Sequence, residues 1–191
     1  MSAAPGATRV VFLGGVGEIG RNMFAIEADG KVLVIDCGLS FPTEDMLGVD
    51  LVLPDFRYVT ADGRSCVGVV LTHGHEDHVG ALSWFAREVD APVFGTPLTL
   101  GLARRRLEEF GTDADLREIH APGRLRLEPF GCTFLAVSHS IPDSVALVLD
   151  TPGGRILYTG DFKLDESPID GRKTDMEAWA RAGARGVALK M

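Results

Sequence analysis

Apolar residues in this chain come in short runs bounded by glycine, proline and acidic residues, which predicts a mixed α/β domain. Arg9 to Leu13 reads as a strand that ends in a glycine-rich loop. Met23 to Ala28 and Lys31 to Asp36 read as two more, and Asp29-Gly30 between them predicts an antiparallel hairpin over 23–36. After the stretch Phe41 to Phe56, the run Val67 to Leu71 predicts a buried strand. Val79, Leu82, Ala86 and Val89 recur at helical spacing, as do Leu100, Ala103, Leu107 and Phe110, with a short strand at Pro92 to Gly95 between them. The second half reads mostly as strands: Leu125 to Leu127, Cys132 to Val137, Val145 to Leu149 and Arg155 to Thr159. A helix over Asp175 to Ala182 follows, then a last strand from Gly186.

Composition supports one globular domain: 191 residues, 46% of them hydrophobic and 24% charged. The net charge of −8 excludes a general basic surface for nucleic acid and leaves open binding through a metal. No apolar run approaches the roughly 18 residues that span a bilayer, and the N-terminus lacks the order of a signal peptide, so no membrane association and a cytoplasmic location are expected. Cys37, Cys66 and Cys132 form no Cys-x-x-Cys pair and read as small buried residues.

Gly15-Val16-Gly17-Glu18-Ile19-Gly20 matches a dinucleotide-binding fingerprint, with Asp36 as the acid further on. That motif needs a helix opening at its glycines, and the predicted hairpin forbids one. A tight glycine turn between strands is the preferred reading. The chemistry lies instead in Thr72-His73-Gly74-His75-Glu76-Asp77-His78, directly after an apolar strand. Imidazole nitrogen and carboxylate oxygen are zinc ligands, and so short a loop suits two nearby ions better than one: His73 and His75 on the first, Asp77 and His78 on the second. His139 and Asp161 each end a further apolar strand, so three strand ends are expected to converge, with the Asp161 carboxylate able to bridge two cations. His120 reads as a surface histidine, Glu76 as solvated, and Arg104-Arg105-Arg106 as a solvated helix surface. Two zinc ions would suit hydrolysis of a phosphodiester, a thioester or a lactam, and the ligands alone do not choose among these.

These strings resemble the metallo-β-lactamase superfamily and, more narrowly, the ribonuclease J family. The likeness runs through Gly14 to Met23, Phe41 to Asp50, Leu71 to His78, Ser138 to Ser144 and Thr159 to Lys163. It implies an α/β fold, the αββα sandwich of that superfamily. It also implies a two-zinc site in which His73, His75 and His139 hold one ion, Asp77 and His78 the other, and Asp161 lies between them. Asp77 would orient the attacking hydroxide. The implied activity is cleavage of RNA, exonucleolytic from a 5′-monophosphate end and endonucleolytic, in RNA processing and decay. RNA is the implied partner, with homo-oligomers in the full-length family. Residues 1–191 are expected to form the N-terminal part of such a domain, incomplete at its C-terminal side, with the β-CASP and C-terminal domains absent. The part of the zinc domain that returns after the inserted β-CASP domain would bring a further zinc-ligating histidine, so one firmly held Zn2+ and impaired cleavage are expected here. The alternatives are a non-catalytic metal-binding fragment and a thioesterase or lactonase on the same fold.

Overall fold

The computed structural model describes residues 6–61 and 63–191. The predicted hairpin is present. Strand β2 (Met23–Ala28) pairs antiparallel with β3 (Lys31–Ile35), in register Phe24 with Ile35 and Ala28 with Lys31. Asp29 and Gly30 turn the chain at φ of 50° and 73°, the left-handed conformation that two-residue hairpin turns require. No helix stands where the dinucleotide motif would need one.

Strand β1 (Thr8–Gly14) precedes the hairpin; after it come α1 (Arg57–Thr60), β4 (Ser65–Val70), α2 (Glu76–Val79), α3 (Leu82–Glu88), β5 (Val93–Gly95), α4 (Pro97–Glu109) and β6 (Leu116–Glu118). Their six strands form one sheet in the order β1-β2-β3-β4-β5-β6, parallel from β3 onward. Parallel neighbours need crossovers, and the four helices supply them. Strands β7 (Gly123–Leu127), β8 (Phe130–Ala136), β9 (Val145–Thr151) and β10 (Gly154–Tyr158) form an antiparallel second sheet. Past α5 (Met176–Ala184), β11 (Leu189–Lys190) joins its edge parallel to β10.

Period-two alternation assigns the faces. Met23, Ala25, Val32 and Val34 pack outward on Leu82, Phe85, Leu100 and Ala103 of the helices. Phe24, Ile26, Leu33 and Ile35 point the other way and meet Phe134, Leu147, Leu149 and Ile156 of the second sheet. On the far side of that sheet, Leu135, Ala146, Val148 and Leu157 are covered by Ala178, Trp179 and Ala182 of α5. Helices, sheet, sheet, helix is therefore the layer order, the expected αββα sandwich. Asp175 caps α5, its carboxylate accepting from the Ala178 amide at 2.8 Å.

Four expectations need correction. The helical run from Val79 to Val89 is broken in two at Gly80-Ala81. The amides of Leu39, Asn22 and Cys37 take the carbonyls of Glu76, Asp77 and His78, and Ala81 donates to Cys37. Hydrogen bonds that would continue the helix are spent on neighbouring loops. The last strand is confined to Leu189–Lys190, and α1 and β6, each of three or four residues, carry too few positions to show a period. Arg104 and Arg105 are exposed, but Arg106 is half-buried between Glu76 (3.3 Å) and Glu109 (2.8 Å); Glu76 is exposed, as expected, and pairs with it. Cys37 and Cys132 are buried as expected; Cys66 is only partly so.

Candidate metal centre

The sandwich places the ends of β4, β8 and β10 side by side, and the chain leaves each with polar side chains. Just beyond β4, His73 is fully buried, His78 almost so, and His75 and Asp77 partly exposed. His139, past the end of β8, brings Nε2 to 3.3 Å from His75 Nδ1, while His73 Nε2 lies 3.1 Å from that same atom. Asp161, three residues past β10, turns Oδ1 toward His78 Nε2 (3.7 Å) and Oδ2 toward His139 Nε2 (3.6 Å). Its two oxygens thus face two different imidazoles. Asp77 Oδ2 also lies 3.7 Å from His78 Nε2. All six residues singled out in the sequence meet at one place. His120 is exposed and outside it.

Among the described residues, two groups have donor atoms close enough to share a metal ion: His73, His75 and His139, and His73, His78 and Asp161. The donor set fits one. Ligands about 2.0–2.1 Å from a tetrahedral ion stand roughly 3.3–3.4 Å apart, close to the spacing of these ring nitrogens.

Buried hydrogen bonds orient the rings. The Asp36 carboxylate, with no solvent exposure, accepts from the Thr72 amide (2.8 Å), the Thr72 hydroxyl (2.9 Å), His78 Nδ1 (2.8 Å) and the Tyr158 hydroxyl (3.0 Å). An ionised carboxylate only accepts, so His78 carries its proton on Nδ1 and presents Nε2 to the site. The Thr72 hydroxyl, having donated to Asp36, is left to accept from His73 Nδ1 at 3.1 Å, which frees His73 Nε2. Burial, with His78, His75 and His139 close by, pushes the His73 imidazole down to about 2, so it stays neutral, the form that binds metal. Burial lowers His139 as well. Burial also opposes the charged form of His78, but the Asp36, Asp77 and Asp161 carboxylates together outweigh it and raise that pKa. Tyr158 is raised well above the ordinary phenol range by burial and by Asp36, which keeps it a donor.

Asp36, Thr72 and Tyr158 were not singled out in the sequence as site residues; Asp36 stood out only as the acid of the rejected dinucleotide motif. Thr174 gave no signal either. Buried behind the site, its hydroxyl accepts from the Ser138 amide (3.0 Å) and donates to the Lys163 carbonyl (2.9 Å). It thereby ties the segment carrying His139 to the one carrying Asp161. Thr174→Val keeps the shape and strands both backbone groups, for about 2 kcal/mol, or roughly 4–8 °C in melting temperature. The expected result is that loss together with weaker metal retention, read by thermal melts with and without added zinc; an unchanged melt would discount the tie.

The metallo-β-lactamase superfamily model matches residues 16–191. Ribonuclease J of Mycobacterium tuberculosis is 44% identical over 185 residues, 96% of this chain and 33% of that protein. Ribonuclease J2 of Bacillus subtilis is 40% identical over 181 residues, covering 94% and 33%. The chain spans about a third of the length of these curated relatives. Among solved structures, the metallo-β-lactamase fold protein YhfI of Bacillus subtilis superposes with a TM-score of 0.58 at 20% identity, over 84% of this chain and 65% of that one. A protein of unknown function from Enterococcus faecalis reaches 0.64 at 20% identity, over 82% and 44%. The layer order, the converging strand ends and the matched family model together place this chain in the metallo-β-lactamase superfamily.

Proposed function

We propose that this chain carries the zinc-binding half of a ribonuclease J-like enzyme, a hydrolase of RNA phosphodiester bonds. The observation that carries the reading is the convergence of four imidazoles and Asp161 from three strand ends: the ring nitrogens of His73 and His139 lie 3.1–3.3 Å from that of His75, and the Asp161 oxygens lie 3.6–3.7 Å from His139 and His78. The matches to ribonuclease J along 94–96% of the chain favour RNA over small acyl substrates. Residues 1–191 are read as the N-terminal part of the catalytic domain, in keeping with the third of the relatives' length that they match.

His73, His75 and His139 would hold one zinc ion and His78 with Asp77 a second, with Asp161 between. Zinc bound there supplies Lewis acidity, easing ionisation of water near neutral pH and offsetting charge that builds on a phosphodiester. The chain's own residues do the rest. Asp36 and Thr72 keep the proton off the two ring nitrogens that face the site. Asp77, partly exposed beside His78, would orient the attacking water and accept the proton it releases. No described helix is long and apolar enough to cross a membrane. With a net charge of −8, the chain offers RNA little general attraction, so binding rests on the centre itself.

The test is metal analysis after dialysis, alongside degradation of a 5′-monophosphorylated RNA with and without zinc. One firmly retained zinc, a weaker second and slow, zinc-dependent RNA cleavage are expected. Retention of no metal would overturn the reading. Turnover of a thioester or lactone with none of RNA would replace it with a small-molecule hydrolase.

A further inference from the structure

The glycine-rich loop between β1 and β2 binds no dinucleotide, yet its conformation is closely specified. It ends in Asn22, whose backbone amide donates to the Asp77 carbonyl at 3.0 Å and whose carbonyl accepts from the Gly38 amide at 3.0 Å. The Asn22 side chain follows the same path. Its Nδ2 donates to the Asp77 carbonyl oxygen (3.1 Å) and to Asp77 Oδ2 (3.1 Å), and lies 3.0 Å from His78 Nε2. The loop makes room for this side chain. A Cβ at Gly15 would stand 2.4 Å from Asn22 Oδ1, and Gly15 has a φ of 80° that other residues rarely adopt.

We propose that Asn22, delivered by the glycine-rich loop, is a positioning residue that sets the direction of the Asp77 carboxylate at the metal centre. The proposal rests on the metal-centre reading above for its functional meaning, and on the hydrogen bonds alone for its geometry. Asp77 is partly exposed, so burial does not hold its carboxylate. One amide group that grips both the backbone oxygen and one carboxylate oxygen of the same residue restricts rotation about its side-chain bonds. The carboxylate is then held with Oδ2 on the His78 Nε2 side, 3.7 Å from that ring nitrogen. Outer partners of this kind are typically worth about 10- to 100-fold in metal affinity.

Two variants test it. Asn22→Leu keeps the volume and removes the donor; Asn22→Ala removes both. Three-bond couplings report the Asp77 χ1 rotamer in metal-free protein, and chelator competition with zinc reports each site's affinity. The wild-type chain should show a single Asp77 rotamer, and both variants an averaged one. Zinc affinity at the Asp77–His78 site should fall about 10- to 100-fold, with the site of His73, His75 and His139 unchanged. An Asp77 rotamer and zinc affinities unaltered in both variants would overturn the proposal, as would averaging already present in the wild-type chain. Loss of the folded spectrum in both would assign Asn22 a structural role instead. If the wild-type chain takes up no zinc but its Asp77 rotamer still depends on Asn22, the positioning stands and the metal reading falls.

Discussion

Asp36→Ala is expected to bring the chain close to unfolding, at a cost on the order of 4 kcal/mol or more. The carboxylate is fully buried and accepts from four donors on Thr72, His78 and Tyr158. Alanine leaves those donors in an apolar core, where each unsatisfied group costs about 1–3 kcal/mol. The backbone adds to this, since Asp36 has a φ of 59°, which aspartate and asparagine tolerate better than alanine. Against a typical total of about 5–15 kcal/mol, that is a large fraction. Asp36→Asn separates the fold from the site. It keeps shape and backbone but exchanges one acceptor for a donor. The least costly accommodation moves the His78 proton from Nδ1 to Nε2, the atom that faces Asp77 and Asp161. Asp36→Asn should therefore stay folded in urea titrations and lose about 10- to 100-fold in zinc affinity. Unaltered zinc affinity in that variant would refute the tautomer argument.

Gly38→Ala is expected to be nearly as damaging, for lack of space rather than for any backbone preference. A Cβ there would lie 1.6 Å from the Asp77 carbonyl oxygen, 2.1 Å from its carbon and 2.7 Å from the His78 amide nitrogen. All three are backbone atoms, so no side chain can swing aside. The segments have to part, breaking the bonds from Cys37 to the His78 carbonyl (2.7 Å) and from Leu39 to the Glu76 carbonyl (3.2 Å). A loss of roughly 3 kcal/mol or more is expected, along with displacement of Asp77 and His78. Gly101→Ala is the matched control. It lies exposed in α4 with open space around its Cβ, and should gain about 0.5–1 kcal/mol. Denaturant titrations of both variants decide it; a Gly38→Ala protein within 1 kcal/mol of the parent would show that the approach relaxes freely.

The two variants mark where the sequence was readable. Strands β2, β3 and β8 to β10 announce themselves because burial on both faces leaves short, nearly continuous apolar runs between turn residues. The histidine cluster does so because four donor groups stand in six residues. Asp36 was not legible, since its role depends on Thr72, His78 and Tyr158, which reach it only after both sheets have formed. Asn22 was hidden for a related reason: its loop imitates a nucleotide motif, and the carbonyl it serves is 55 positions away. The break between α2 and α3 is set by loop amides from residues 22 to 39 competing for helix carbonyls, a contest no local period records.

Apolar faces attract without direction, so two sheets pressed together by leucines and phenylalanines alone could slide or rotate over one another at little cost. Here polar contacts stitch the two sheets together at opposite ends. At the site end, Tyr158 donates to Asp36 across the core, and the Val145 amide donates to the Thr72 carbonyl at 3.0 Å. At the other end, near the Asp29-Gly30 turn, the Thr8 hydroxyl meets Thr151 at 2.8 Å. One pin would fix translation and leave a pivot; two pins remove the pivot. His73 and His78 extend from the first sheet, His139 and Asp161 from the second, so their mutual alignment is inherited from this indexing of whole layers. A change that loosened the distant Thr8–Thr151 pin would be felt as angular play at the histidines.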